Sequence, residues 1–148
     1  MWKNGEPNGK RTRWYSNGQK KGEFNYKDGK PHGTHSTWYK IGQKWLEETY
    51  LDGKPSGTHV SWYENGQKKS EETWKNGKED GLWTYWNDDG QKSYEENYKD
   101  GVVIEVKEWE YYENGQKSYE GTFKDGKQDG LQTQWYENGQ KKSEWNYK

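Results

Sequence analysis

The chain contains no cysteine, which excludes a disulfide framework and any thiolate metal site. Leu, Ile and Val are scarce as well, so an ordinary aliphatic core is ruled out. No apolar run approaches the roughly 18–20 residues that a membrane-crossing helix needs, and no charged-then-apolar leader stands before Trp2. An excess of charge is also missing, since 24 Lys and Arg are interspersed with 25 Asp and Glu. That balance supplies no net field toward nucleic acid or anionic lipid, and neither is expected as a partner.

What the chain has in abundance is aromatic. A mean hydropathy of −1.79 with 25% apolar residues is the usual profile of disorder. Eleven Trp, thirteen Tyr and two Phe reverse that expectation, because each such side chain can bury roughly 150–250 Å². A thin core built from rings follows.

Asn-Gly or an equivalent recurs at Asn17-Gly18, Ile41-Gly42, Asn65-Gly66, Asp89-Gly90, Asn114-Gly115 and Asn138-Gly139, at intervals of 24, 24, 24, 25 and 24 residues. A second turn signal keeps the same beat, at Asn4-Gly5, Asp28-Gly29, Asp52-Gly53, Asn76-Gly77, Asp100-Gly101 and Asp125-Gly126. A fixed period of this length marks a repeat array, so residues 1–148 read as one domain of six copies, or as a segment of a longer array. Each period holds two runs rich in Thr, Trp and Tyr between Gly turns, such as Thr58 to Glu64 and Lys68 to Lys75, and leaves no room for a helix. The prediction is an all-β fold: an elongated, curved antiparallel meander of about twelve short strands built from six hairpin repeats of 24 residues. Trp2-Lys3 and Tyr147-Lys148 occupy the same repeat position, which raises the idea of a tile that associates with itself end to end.

The turn type sets the expected faces. A three-residue loop with Gly18 in the left-handed conformation places Thr12 and Trp14 on one face with Gly22, Phe24 and Tyr26. The same register collects Trp14, Trp38, Trp62, Trp86, Tyr111 and Trp135 together with Tyr26, Tyr50, Trp74, Tyr98, Phe123 and Tyr147. The opposite face then carries Glu23, Glu47, Glu71, Glu95, Glu120 and Glu144 beside the row Tyr15, Tyr39, Tyr63, Tyr112 and Tyr136, which Asn87 interrupts. In the fifth copy the window Val102-Val103-Ile104 replaces the usual Lys-x-x-Gly, and is expected to be a local bulge covering an end of the core or else a partner contact.

None of the chemical constellations favours catalysis. His35 and His59 lie one period apart, but their column also holds Arg11, Trp83, Glu108 and Gln132, so they are expected to face solvent along with His32 and to bind no metal. Six Glu residues in equivalent settings do not separate into an acid and a base, and read as partners of surface Lys. The glycines sit in hairpins rather than opening helices, so no phosphate cradle is formed. No enzyme activity, cofactor or metal is expected. The exposed Tyr row, Tyr15, Tyr39, Tyr63, Tyr112 and Tyr136, with Val102, Val103 and Ile104, is the expected surface for a protein partner, because Tyr offers contact area at low entropic cost.

The recurring W-Y-x-N-G-Q-K-x-x-E followed by Y-K-D-G-K-x-x-G resembles the bacterial variant of the MORN repeat, over essentially residues 2–148. Departures from the pattern are Ile41, Asn87 and the altered fifth copy. That variant occurs in proteins named as YwqK-family antitoxin components. The resemblance implies a non-catalytic binding scaffold, antitoxin- or immunity-like, located in the cytoplasm and holding a protein partner. Aromatic rows on a sheet also leave a carbohydrate-binding surface as an alternative.

Overall fold

The computed structural model describes residues 5–148 and the backbone of Trp2 and Lys3, and is all-β, with no helix among the described residues. Twelve strands follow one another in chain order across one open antiparallel sheet, from Gly9–Trp14 at one edge to Lys141–Tyr147 at the other. Four two-residue strands, Lys30–Pro31, Lys54–Pro55, Lys78–Glu79 and Lys127–Gln128, fold back onto the end of the long strand before them. Trp2–Lys3 pairs with Glu6–Pro7 as a separate two-stranded piece, while the side chain of Trp2, used in the end-phase argument, and Asn4 lie outside the described residues.

Both turn types behave as their residues dictate. At Asp52-Gly53 the two central residues have φ of 49° and 86°, the double left-handed geometry that a two-residue hairpin loop requires and that Asp-Gly supplies with little strain. At the other turn the Gly18 amide donates to the Tyr15 carbonyl at 3.0 Å, the Tyr15 amide donates to the Gln19 carbonyl at 2.8 Å, and Gly18 has φ 83°. This is the expected three-residue loop. Asn17 adds its own share, since Oδ1 accepts from the Gln19 amide and Nδ2 donates to the Lys40 carbonyl of the next copy.

The expected distribution of rings is nevertheless overturned. One residue beyond each such loop the pairing slips: Trp62 pairs with Lys68 but Ser61 pairs with Ser70, leaving Lys69 as an extra residue. All six copies do the same, with Lys21, Trp45, Lys69, Ser93, Ser118 and Lys142 at the extra position. An added residue reverses the parity of every side chain before the turn relative to those after it. Thr12 therefore pairs with Glu23, and Trp62 shares its face with Glu71. The two ring columns lie on opposite sides of the sheet.

One side, the tryptophan face, carries Trp14, Trp38, Trp62, Trp86 and Trp135, with Tyr111 in the fifth copy, together with Lys and Glu. The other, the tyrosine face, carries Tyr26, Tyr50, Trp74, Tyr98 and Phe123. A lone sheet has no second layer to cover one face, so dividing the rings between both sides avoids a single large apolar surface. On the tryptophan face Trp38, Trp62, Trp86 and Trp135 are each capped by a lysine of the preceding copy: Lys20 Nζ lies 4.9 Å from the Trp38 ring centre, Lys44 lies 5.6 Å from Trp62, Lys68 lies 5.2 Å from Trp86 and Lys117 lies 5.3 Å from Trp135, while in the fifth copy Lys92 lies over Trp109 instead of Tyr111. The same lysines bind the carboxylate three residues on, at 2.9 Å for Lys20–Glu23, 2.5 Å for Lys44–Glu47 and 2.6 Å for Lys68–Glu71. The parity reversal thus places Lys between a ring and a carboxylate.

The fifth copy runs as one unbroken strand, Val102–Tyr111. Asn97 pairs with Glu105 and Tyr98 with Val103, so Ile104 is the extra residue of a bulge, as expected of this window. Its side chains do not cover the core, however. Val102, Val103 and Ile104 are all exposed.

Candidate functional site

On the tyrosine face the rings form a ladder that crosses the copies. His35 stands 5.6 Å from Tyr26 and 4.8 Å from Tyr50, His59 stands 5.8 Å from Tyr50 and 5.6 Å from Trp74, and Trp83 stands 5.0 Å from Trp74 and 4.6 Å from Tyr98. The expectation of solvent-facing histidines is corrected here for His35 and His59, which are buried. The parity reversal turns them onto the ring face, where each has a specific partner. His35 Nε2 lies 2.7 Å from the Asn25 carbonyl and His59 Nε2 lies 2.9 Å from the Thr49 carbonyl. Trp83 Nε1 donates to the Thr73 carbonyl at 2.9 Å, and Gln132 Nε2 to the Thr122 carbonyl at 2.6 Å.

Those four carbonyls also accept the backbone amides of His32, Ser56, Asp80 and Asp129, the single residues that interrupt the strand between each two-residue piece and the next long strand. A long side chain with an N–H is needed there to serve the second lone pair. Glu108 holds the same position in the fifth copy and as a carboxylate cannot donate, and that copy has no break. His32 sits at the break itself, half-buried, with Nδ1 3.3 Å from Asp52 Oδ1. Among the described residues no group of three or more His, Cys, Asp or Glu could hold a metal ion.

The expected partner-binding row has a structural task. The hydroxyls of Tyr15, Tyr39, Tyr63 and Tyr112 donate to the carbonyls of Trp38, Trp62, Trp86 and Trp135 at 2.8–2.9 Å, stitching each copy to the next. Their rings are half-buried, and only Tyr136 is exposed. Tyr63→Phe is expected to lower stability by about 0.5–1.5 kcal/mol through loss of one such bond. Tyr136→Phe should leave it unchanged, because that hydroxyl makes no hydrogen bond within the described residues. Equal urea midpoints for the two variants would contradict this assignment.

Charge distinguishes the two faces. Every carboxylate of the Glu23 column is paired with a lysine three residues before it. On the tyrosine face Glu48, Glu72, Glu96, Glu108 and Glu110 enter no ion pair among the described residues, and the third copy's lysine there, Lys69, lies over the Tyr63 ring. Two open cavities of about 470 and 480 Å³ adjoin on this side and share Glu110. The first is lined by Tyr94, Glu96, Val106 and Glu108 among others, the second by Tyr119, Gln134 and Lys142. Tyr85 and Tyr94 stack beside them, with ring centres 4.2 Å apart. Burial raises the Tyr85 hydroxyl pKa, and the Glu72 carboxylate adds to it. Burial also pushes Tyr98 up to about 12, helped by its hydrogen bond to Glu96 Oε2 at 3.0 Å. The expected Tyr row belongs to this face, with Tyr112 lining the second cavity, but sequence reasoning set it beside the Glu23 column, whose charges are paired with lysine, and so missed the carboxylates that accompany it.

A family model described as a MORN repeat variant matches residues 7–28, 55–76, 79–100, 106–125 and 128–148. A search of curated proteins found no match.

Proposed function

This chain belongs to the MORN repeat variant family, and from that premise we propose that it is a protein-binding scaffold whose tyrosine face receives the partner. Repeats of this family are generally non-enzymatic and often bind proteins or membranes. The observation that carries the reading is the contrast between faces: lysines neutralise the carboxylates of one, while the other combines half-buried rings, two open cavities and carboxylates that enter no ion pair among the described residues. Such a surface disfavours an anionic lipid and favours a protein with complementary charge. An antitoxin- or immunity-like role in the cytoplasm is the special case in which that partner is a toxin.

The test is retention of one partner by variant chains. A Glu108→Lys and Glu110→Lys double variant is expected to lose a partner that the wild-type chain co-purifies, whereas Glu120→Lys on the tryptophan face is expected to keep it. Retention by the double variant, loss on both faces alike, or no partner for the wild type would each count against the reading.

A further inference from the structure

The carboxylates of the tyrosine face are arranged as a ruler. Glu48 pairs with His35, Glu72 with His59, and Glu96 with Trp83, so Glu and ring alternate along one line that crosses the strands. Successive carboxylates are separated by two strands of the sheet. At about 4.7–4.9 Å per strand this spacing is roughly 9.4–9.8 Å. Beside them runs a ring column of the same period, Tyr50, Trp74 and Tyr98. At one of the three positions a tyrosine hydroxyl steadies the carboxylate, Tyr98 donating to Glu96 Oε2 at 3.0 Å.

A polyproline II segment advances about 3.1 Å per residue and returns to the same side every three residues, a pitch of about 9.3 Å. Its pitch matches the carboxylate spacing, whereas a β-strand returns to the same side every two residues, at roughly 6.6 Å. Deepening the scaffold reading and resting on it, we propose that the tyrosine face seats an extended, proline-containing basic segment of a partner protein, with Lys or Arg at every third residue. Each cation meets one of Glu48, Glu72 and Glu96, and the intervening prolines lie against the adjacent rings, as aromatic-lined grooves favour. Charge complementarity selects this occupant, and the matching pitch selects its conformation. The segment is preordered, so little conformational entropy is lost on docking.

The experiment titrates the full chain with two synthetic peptides of equal composition, one of repeated Pro-Pro-Lys triplets and one with its lysines contiguous. The triplet peptide is expected to bind more tightly to the wild-type chain. A triple variant, Glu48→Gln, Glu72→Gln and Glu96→Gln, removes the charges while keeping side-chain volume, and is expected to weaken that binding by roughly 30- to 100-fold at low salt, about threefold to fivefold per site. Glu71→Gln should change it little, and circular dichroism checks that each variant keeps its strands. Equal binding of the two peptides, equal binding by the triple variant, or an equal loss with Glu71→Gln overturns the proposal. Failure here is separable from failure of the scaffold reading. A protein partner that the Glu108→Lys and Glu110→Lys variant loses, but that the triple variant keeps, leaves the tyrosine face as the interface and removes only this occupant.

Discussion

Replacing Trp83 by Ala is expected to destabilise the protein by about 3–5 kcal/mol, the usual cost of deleting a buried tryptophan. Trp83 is only 8% exposed in a protein with few buried apolar residues. It lies between the tilted rings of Trp74 and Tyr98, and its Nε1 serves the Thr73 carbonyl at the strand break. Truncation therefore opens a cavity and leaves an acceptor short of a donor in one step. Trp83→His should cost much less, because His35 and His59 hold the same post in neighbouring copies. Each copy contacts only its neighbours, so in Trp83→Ala the loss of amide protection should centre on the third and fourth copies. Urea unfolding followed by circular dichroism, with hydrogen exchange to localise the effect, makes the comparison. A cost below about 1 kcal/mol for Ala, or equal costs for Ala and His, would show that neither packing nor the hydrogen bond acts as described.

Alkali is expected to unfold the chain through its tyrosines. Burial is the largest cause raising the hydroxyl pKa of Tyr50, Tyr85, Tyr94 and Tyr98, and nearby Glu carboxylates add to each. A folded-state pKa above the unfolded value means that the folded chain holds its protons more tightly. The associated stability is fully present below the ordinary tyrosine value of 10 and is lost as pH rises through the folded values, about 12 for Tyr98. Stability should therefore fall steadily above about pH 10. Phenolate absorbance and the β-sheet dichroism, recorded on the same samples, should change together. Complete phenolate formation with the sheet signal intact would refute the coupling.

Much of this was readable in advance. The period, the strands and both turn chemistries follow from local rules, since Asp-Gly and Asn-Gly act within four or five residues of chain. The face of each ring did not follow, because the bulge that decides it sits at Lys21, Trp45, Lys69, Ser93, Ser118 and Lys142, residue types with no turn signature. Reversed parity then carried His35 and His59 from the solvent side to the ring ladder. One signal for their role was present. The column Arg11, His35, His59, Trp83 and Gln132 consists of long side chains bearing an N–H, interrupted only where Glu108 coincides with the irregular fifth copy.

The sequence alone determined that the chain is six hairpin repeats of one all-β unit, because glycine-directed turns and the spacing between them are properties of short stretches. Only the tertiary structure decided which side each ring and carboxylate faces, and hence that one set of glutamates is held by lysine while the other enters no ion pair among the described residues. Side-chain parity depends on every residue between two paired strands, so a single insertion without a local signature changes the surface while leaving the fold unaltered.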